Sequence, residues 1–253
     1  MSCRSKRRAA AAAAAFLATG WTFAAGDAVS LVAAFSAAPP GRALPAPWTR
    51  TPIRGVDRTT EYALVDDGGT TVLRADAQAS AAAVVHELRT PARAPLLQWR
   101  WKVSGILKSS NPATKEGDDY AARVYVMFDY PLEKLSFGDR MRLMLARAFF
   151  GPDVPAAALC YVWDSRLPVG AVLTSPYTDR VRIIVVASGA QEAGRWQTVE
   201  RDVHADFRRA FGEEPPAVSA VAVATDTDNT GEKATAWYGD IVLKKRAVIA
   251  PNG

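Results

Sequence analysis

The chain has 253 residues, 49% of them hydrophobic, with 31 Lys and Arg against 26 Asp and Glu. This length and apolar content fit one large β-domain or two small ones. Four of the five charges in the formal net charge of +5 come from the N-terminus, because residues 1–26 hold four basic groups and no acidic ones. Without that segment, 27 basic and 26 acidic residues remain, and the composition no longer supports nucleic-acid binding.

Residues 1–26 have the three parts of a signal peptide. A basic region (Arg4–Arg8) precedes an alanine-rich apolar run, and Ala24–Gly26 are small residues suited to cleavage. We therefore expect an exported bacterial protein, either periplasmic or secreted. An uncleaved N-terminal anchor is the alternative, because the apolar character continues weakly through Val29–Phe35.

The segment 27–47 is rich in alanine and proline and is predicted to be a flexible lead-in. A single β-sandwich domain is placed at 48–245, followed by a short tail at 246–253. Strands predicted at 62–65 and 71–75 flank an Asp-Asp-Gly-Gly sequence, which is typical of a hairpin turn.

Strict alternation of apolar and polar residues runs from Leu97 to Val103. Trp99 and Trp101 share one face with Leu97 and Val103, and the residues between them point the other way. This pattern assigns both tryptophans to the core rather than to a ligand platform.

An acidic turn, Gly117–Tyr120, leads into a strand predicted at 121–128. Arg123 lies on the polar side of that strand. A mid-strand arginine is either solvated or held by carboxylates, and Asp118 and Asp119 are close enough in sequence to pair with it. Both alternatives stay open.

Residues 131–150 are predicted to form the one helical insertion. Met141, Leu145 and Phe149 recur at a spacing of four, and Gly151 ends the run. We expect this helix to cover the sandwich. Contact with a membrane surface or a partner protein is the alternative for a basic amphipathic helix.

The strand predicted at 159–164 places Tyr161 and Trp163 on one face. Cys160 is the single cysteine outside the predicted signal peptide, so no internal disulfide is expected. It is predicted to be a small buried hydrophobe. A reactive thiol is the alternative, although neither histidine has a recognisable pairing with it.

A second acidic turn, Thr225–Gly231, feeds the closing strand at 234–243. The two acidic turns are predicted to meet at one end of the sandwich and to form a polar site. The candidate ligand-binding residues lie on these turns and on the strand at 159–164: Asp118, Asp119, Arg123, Tyr161, Trp163, Asp164, Asp226, Asp228 and Asn229.

Asp226 and Asp228 are also candidate ligands for a structural calcium ion, because calcium prefers oxygen ligands. The spacing of an EF-hand is absent, and an Asx-rich turn with internal hydrogen bonds is the alternative. Transition-metal binding is not expected with so few histidines and cysteines. The sequence implies no other cofactor.

Several segments together resemble a bacterial family catalogued as domain of unknown function 3047. The resemblance covers roughly residues 48–243 and implies an exported, β-rich protein, but it supplies no catalytic residues. The segments that carry it are Trp99–Lys102, Gly117–Val126, Leu159–Asp164, Asp202, Asp206–Pro215 and Thr225–Thr230. The closing strand, Trp237–Leu243, is loosely similar to the last strand of jelly-roll carbohydrate-binding modules.

These features predict an all-β fold, a jelly-roll-like antiparallel sandwich of galactose-binding-like type. We expect a non-catalytic binding module of the cell envelope whose partner is a glycan or another envelope component. A carbohydrate-active hydrolase or lyase with paired carboxylates is one alternative. An envelope assembly protein is the other. Membrane contact is expected only through the N-terminal segment or the helix at 131–150.

Overall fold

The computed structural model describes residues 29–135, 137, 138, 140, 141, 143, 144 and 156–245. The predicted signal peptide at 1–26 and the predicted tail at 246–253 lie outside these residues, so both remain predictions.

The described residues form thirteen strands, a helix α1 and a helical stretch between 137 and 144. The helix, α1, spans Val203–Phe211. The strands, numbered in chain order, are β1 (Val29–Ala33), β2 (Thr49–Pro52), β3 (Glu61–Asp66), β4 (Thr71–Gln78), β5 (Ala82–Ala92), β6 (Leu96–Val103), β7 (Arg123–Phe128), β8 (Ala158–Asp164), β9 (Val172–Thr174), β10 (Val181–Ser188), β11 (Gln197–Asp202), β12 (Val218–Ala224) and β13 (Lys233–Lys244).

The strands form two sheets that pack face to face over a shared hydrophobic core. The six-stranded sheet has the order β11-β6-β13-β4-β3, with β1 paired to the end of β13. The seven-stranded sheet has the order β2-β5-β12-β7-β8-β10-β9. The predicted all-β sandwich of jelly-roll type is confirmed. One strand pair is not antiparallel: β8 and β10 are parallel to each other. After β8 the chain forms the edge strand β9, and it then reverses and forms β10 between β9 and β8.

Aromatic side chains fill the centre of the core. Trp99 and Trp101 both point inward from β6, as the alternation predicts, with their rings 5.5 Å apart in an edge-to-face arrangement. Tyr161 and Trp163 of β8 meet them from the opposite sheet, at ring distances of 5.3 and 6.1 Å. Such aromatic pairs contribute about 0.5–1.5 kcal/mol each beyond the apolar area that they bury.

The predicted flexible lead-in at 27–47 differs from the structure. Val29–Ala33 forms β1 against the last strand, and Val32 is buried. Phe35 is fully buried, with its ring 5.3 Å from that of Trp48. The reason is that this alanine-rich stretch also carries bulky apolar side chains, and burying them stabilises the ordered segment.

The predicted helical insertion at 131–150 follows β7. Leu132–Lys134 forms a 3-10 helix, the described residues between 137 and 144 are helical, and residues 145–150 lie outside the described part. Helix α1 begins at Val203 because the Asp202 carboxylate accepts the first free backbone N–H groups. Within the described residues, no helix has the length and apolar character needed to span a bilayer.

A second, smaller apolar cluster covers part of the outer face of the seven-stranded sheet. It contains Tyr120, Cys160 and Ile183. Cys160 is fully buried there, as predicted, and burial raises the pKa of its thiol to about 12. A thiol in such surroundings is not a nucleophile at neutral pH.

Candidate functional site

The two acidic turns lie against each other at the same end of the seven-stranded sheet. The Asp119 carboxylate accepts hydrogen bonds from the Thr230 backbone N–H at 2.6 Å and the Asn229 side-chain amide at 3.1 Å. The Tyr120 backbone N–H donates to Asp226 Oδ1 at 3.3 Å. Residues more than a hundred positions apart in sequence thus form one polar cluster.

Arg123 lies at the centre of this cluster. Its Nε donates to Asp226 Oδ1 at 2.8 Å, and its Nη2 donates to the other oxygen of the same carboxylate. Nη2 also donates to the Asp118 backbone carbonyl, and Nη1 lies 3.5 Å from Asp118 Oδ2. The Tyr120 ring covers the guanidinium at 4.4 Å. Of the two alternatives for this arginine, the structure contains the one held by carboxylates.

The cluster is buried, and its charges do not balance. Arg123 is 4% exposed and Asp226 9%. Among the described residues of the cluster, Arg123 is the one cation beside four carboxylates, and it bonds two of them, Asp118 and Asp226. Burial raises the pKa of Asp226 to about 7, against the opposing effect of Arg123. Burial also raises the pKa values of Asp118 and Asp228. The negative charge that remains favours uptake of protons or of a cation.

Three carboxylates have the spacing of a cation site. Oxygens of Asp119, Asp226 and Asp228 lie within 4.8 Å of one another. The two residues predicted as calcium ligands therefore stand close together, with Asp119 as a third. Hard oxygen ligands suit calcium or magnesium. However, Asp226 is also bonded by Arg123, and Asp119 accepts backbone N–H groups.

The three remaining candidate residues do not join the cluster. Tyr161 and Trp163 point into the core between the sheets, because alternation along β8 puts them on its inner face. The Tyr161 hydroxyl donates to Asp206 Oδ2 at 2.9 Å. Asp164 accepts the backbone N–H groups of Arg166 and Leu167 at 2.7 and 2.6 Å and so closes the turn after β8. These three residues were predicted to contact a ligand, whereas in the structure their side chains pack in the core or close a turn.

A groove crosses the outer face of the seven-stranded sheet and reaches the cluster at Asp226. Its cavity volume is about 790 Å³. We call it the alanine groove, because four alanines on its floor lie side by side on β5 and β12: Ala83, Ala220, Ala222 and Ala224. Tyr125 and Met127 of β7 continue the floor, and half-exposed Ile53 and Leu132 form its lips.

The sequence analysis missed this groove, although a signal is present. In β12 every second residue from 220 to 224 is alanine, and these alanines face outward. A row of small side chains on an outward strand face leaves space above the sheet. The sequence does not show which residues of β5 and β7 lie beside these alanines. The register of the sheet does: Val85 and Tyr125 lie opposite Ala222, and they leave the space above the alanines open.

Several solved structures are similar to this chain at low sequence identity. The family 12 xyloglucanase from Bacillus licheniformis has a TM-score of 0.45 at 9% identity, covering 87% of this chain and 100% of that one. The family 30 carbohydrate-binding module of a Clostridium thermocellum cellulosomal cellulase has a TM-score of 0.43 at 10% identity, with 87% and 99% covered. The family 11 module from the same organism has a TM-score of 0.41 at 9% identity, with 91% and 100% covered.

None of these similarities transfers a ligand or a reaction to this chain. A comparison with curated proteins gave no match. The model of the family described as "Protein of unknown function (DUF3047)" matches residues 46–242. The match spans more than half of the chain, and the resemblance recognised in the sequence motifs is confirmed. The protein belongs to the DUF3047 family.

Proposed function

We propose that this protein is an exported, non-catalytic binding protein of the bacterial envelope that holds a neutral glycan chain in the alanine groove. The observation that carries the proposal is the groove itself, about 790 Å³ in volume across the outer face of the seven-stranded sheet. Export follows from the predicted signal peptide at 1–26.

The groove combines surfaces that suit a sugar. Three of the floor alanines are buried, and the apolar surface open to a sugar ring comes from Met127, from the lips at Ile53 and Leu132, and from the half-buried ring of Tyr125. Thr49, Thr51 and Glu87 line it as hydrogen-bonding groups for hydroxyls. Clefts that bind small molecules commonly have such a mainly apolar lining with a few polar groups.

The charge of the lining favours a neutral ligand. Among the described residues that line the groove, three are carboxylates, Glu87, Asp129 and Asp226, and none is lysine or arginine. Asp226 is paired with Arg123, but Glu87 and Asp129 would repel an acidic polysaccharide, and no described lining residue supplies a cation for them. A neutral chain avoids this cost.

Glu87 and Asp226, two of the three lining carboxylates, are too far apart to act as a glycosidase pair. Glu87 lies opposite Ala220, six residues before Asp226 along an extended chain, which corresponds to a separation of roughly 20 Å. Glycosidase carboxylates stand about 5–9.5 Å apart. Both oxygens of Asp226 are in addition bonded by Arg123.

A filled groove tests the proposal. Ala83 is half-buried and faces outward, so Ala83→Trp places an indole in the groove without entering the core. The matched control is Ala63→Trp, the same substitution at a half-buried position of β3 in the other sheet. Affinity electrophoresis and calorimetry against xyloglucan, β-glucan, xylan and mannan measure binding. Release of reducing ends from the same polymers measures hydrolysis.

We expect at least one neutral glycan to bind the wild type and the Ala63→Trp variant, and binding to be lost in Ala83→Trp. Absence of binding to every neutral polymer would overturn the proposal, as would equal binding by all three proteins. Release of reducing ends that depends on Glu87 or Asp129 would replace binding with the hydrolase alternative.

A further inference from the structure

A row of cations and indoles crosses the outer face of the six-stranded sheet, opposite the alanine groove. Trp237 of β13 lies between Arg74 of β4 and Lys102 of β6, at 5.8 and 4.5 Å from its ring centre. Trp196, just before β11, has Lys102 at 5.1 Å and Arg100 at 4.5 Å. We call these five residues the indole ladder.

Two cations of the ladder are already paired with carboxylates. Lys102 Nζ donates to both oxygens of Asp67, at 2.8 and 2.9 Å. Arg74 donates to Asp76 Oδ1 at 2.9 and 3.1 Å. The positive charges of Lys102 and Arg74 are therefore used within the fold.

Arg100 differs from both. Among the described residues, no carboxylate lies within ion-pair distance of it and none of its N–H groups is hydrogen-bonded. After the hydrogen bond from Lys102, its charge also helps to lower the pKa of nearby Asp67, which accepts the Trp196 indole N–H. Arg100 is nevertheless fixed in place. Its side chain crosses directly over Gly239, where a Cβ atom would lie 2.5 Å from Arg100 Cγ, and its guanidinium stacks on Trp196.

A guanidinium held in this way is prepared to bind an anion. Stacking occupies one face of the planar group but leaves its N–H edge free, and that edge matches a carboxylate with two parallel hydrogen bonds. Little side-chain entropy is lost on binding, because the arginine is already restrained.

We propose that Arg100 and Trp196 form a second binding site, which takes the carboxylate of a uronic acid residue in an acidic polysaccharide. The indoles provide apolar surface beside the cation, and Thr198, directly opposite Arg100 on β11, provides a hydroxyl for sugar hydroxyls. A peptide carboxylate could pair with Arg100, but it would make no use of the apolar indole surface together with the Thr198 hydroxyl. The site is independent of the alanine groove, since it lies on the other sheet and takes a ligand of opposite character.

Polygalacturonate, a polymer of uronic acid, is the probe. We expect the wild type to bind it, and Arg100→Gln to weaken binding about tenfold, the loss expected for charge-assisted hydrogen bonds. Arg100→Lys keeps the charge but loses the two-pronged geometry and should fall between them. Binding should weaken as salt rises from 20 to 200 mM, on the scale set by a Debye length of about 10 Å at 0.1 M.

Three further variants distinguish binding at Arg100 from non-specific attraction to positive charge and from binding in the alanine groove. Arg42→Gln removes one positive charge from a side chain that is 88% exposed and lies elsewhere on the surface, and it should bind polygalacturonate as the wild type does. Ala83→Trp, which fills the groove, should also leave this binding unchanged. Gly239→Ala displaces Arg100 and should weaken the binding of polygalacturonate.

Three results would overturn the proposal: no binding of polygalacturonate, equal losses in Arg100→Gln and Arg42→Gln, or equal binding of poly-glutamate, which carries carboxylates without sugars. Far-UV circular dichroism and thermal unfolding of each variant establish that a lost signal does not come from a lost fold.

Discussion

Arg123 and Arg100 occupy similar positions within their strands, but their surroundings in the folded molecule are opposite. Each stands on the outward face of a strand between two buried apolar neighbours. Arg123 is covered by the two acidic turns and is bonded by Asp118 and Asp226. Arg100 is half-buried, forms no ion pair with a carboxylate among the described residues, and is held in place by an indole.

The difference lies in the loops rather than in the strands. The turn at 117–120 and the turn at 225–231 fold over β7 and bury Arg123, so its charge contributes to the fold. In the described part of the chain, no equivalent turn lies over Arg100 on the outer face of β6. The same residue type therefore acts as a structural centre on one sheet and as a candidate ligand-binding group on the other.

The largest expected effect separates the two arginines by stability. Arg123→Met leaves buried carboxylates without their cation, and we expect the free energy of unfolding to fall by about 3–5 kcal/mol at pH 7. The penalty should shrink near pH 4.5, where protonation removes the unpaired charge. Urea unfolding at both pH values measures it. Equal stability of Arg123→Met and Arg100→Met at pH 7 would contradict the comparison.

The second effect is on the pH dependence of stability. The pKa of Asp226 is raised by burial to about 7, whereas an unfolded aspartate has a pKa of about 3.9. Between these values the folded state binds more protons, so stability falls as pH rises through this window. The slope for one group is at most about 1.4 kcal/mol per pH unit.

Asp226→Asn removes this titrating group. Compared with the wild type, its free energy of unfolding should decline less steeply between about pH 4 and 7. Urea denaturation at half-unit pH intervals gives both curves. Asp129→Asn, at an exposed position of the same groove, is the control and should run parallel to the wild type. Parallel curves for Asp226→Asn would refute the raised pKa.

A third effect tests how Arg100 is held. Gly239→Ala drives the Arg100 side chain from its place over the strand and from Trp196, and we expect a loss of about 1 kcal/mol, the scale of a cation–π contact plus local overpacking. In an Arg100→Ala background the same change should cost much less. A double-mutant cycle measures this coupling, and additive losses would show that Gly239 and Arg100 are independent.

The smallest effect is that of Arg100→Gln on stability. Arg100 has no ion pair to lose among the described residues, so we expect only the loss of its contact with Trp196, about 0.5–1 kcal/mol. Thermal unfolding checks this. A loss as large as that of Arg123→Met would make Arg100 a structural residue and would weaken the case for a second binding site.

Much of the fold could be predicted from local sequence patterns. The alternation from Leu97 to Val103 placed both tryptophans in the core, and the Asp-Asp-Gly-Gly turn placed the β3–β4 hairpin. Both signals depend on neighbouring residues, whose side-chain directions follow from strand geometry. The prediction of a flexible lead-in at 27–47 was wrong for the opposite reason. Its strand β1 is ordered by pairing with β13, more than two hundred residues away.

The candidate site was predictable only in part. The two acidic turns and Arg123 could be named from the sequence, because a mid-strand arginine and paired aspartates are locally unusual. Tyr161 and Trp163 were included although they share a face with Leu159, and the structure places that face in the core. Composition indicates which residues are able to bind a ligand. Burial decides which of them a ligand can reach.

The sequence by itself determined the β-rich class, the family motifs and the two polar turns, since each depends on a short stretch of chain. Only the tertiary structure decided that Asp226 meets Arg123, that four alanines form one groove floor, and that Arg100 stacks on Trp196 while its N–H groups stay free. These features depend on strand order and register between distant segments. They set the distances and burial on which any binding chemistry depends.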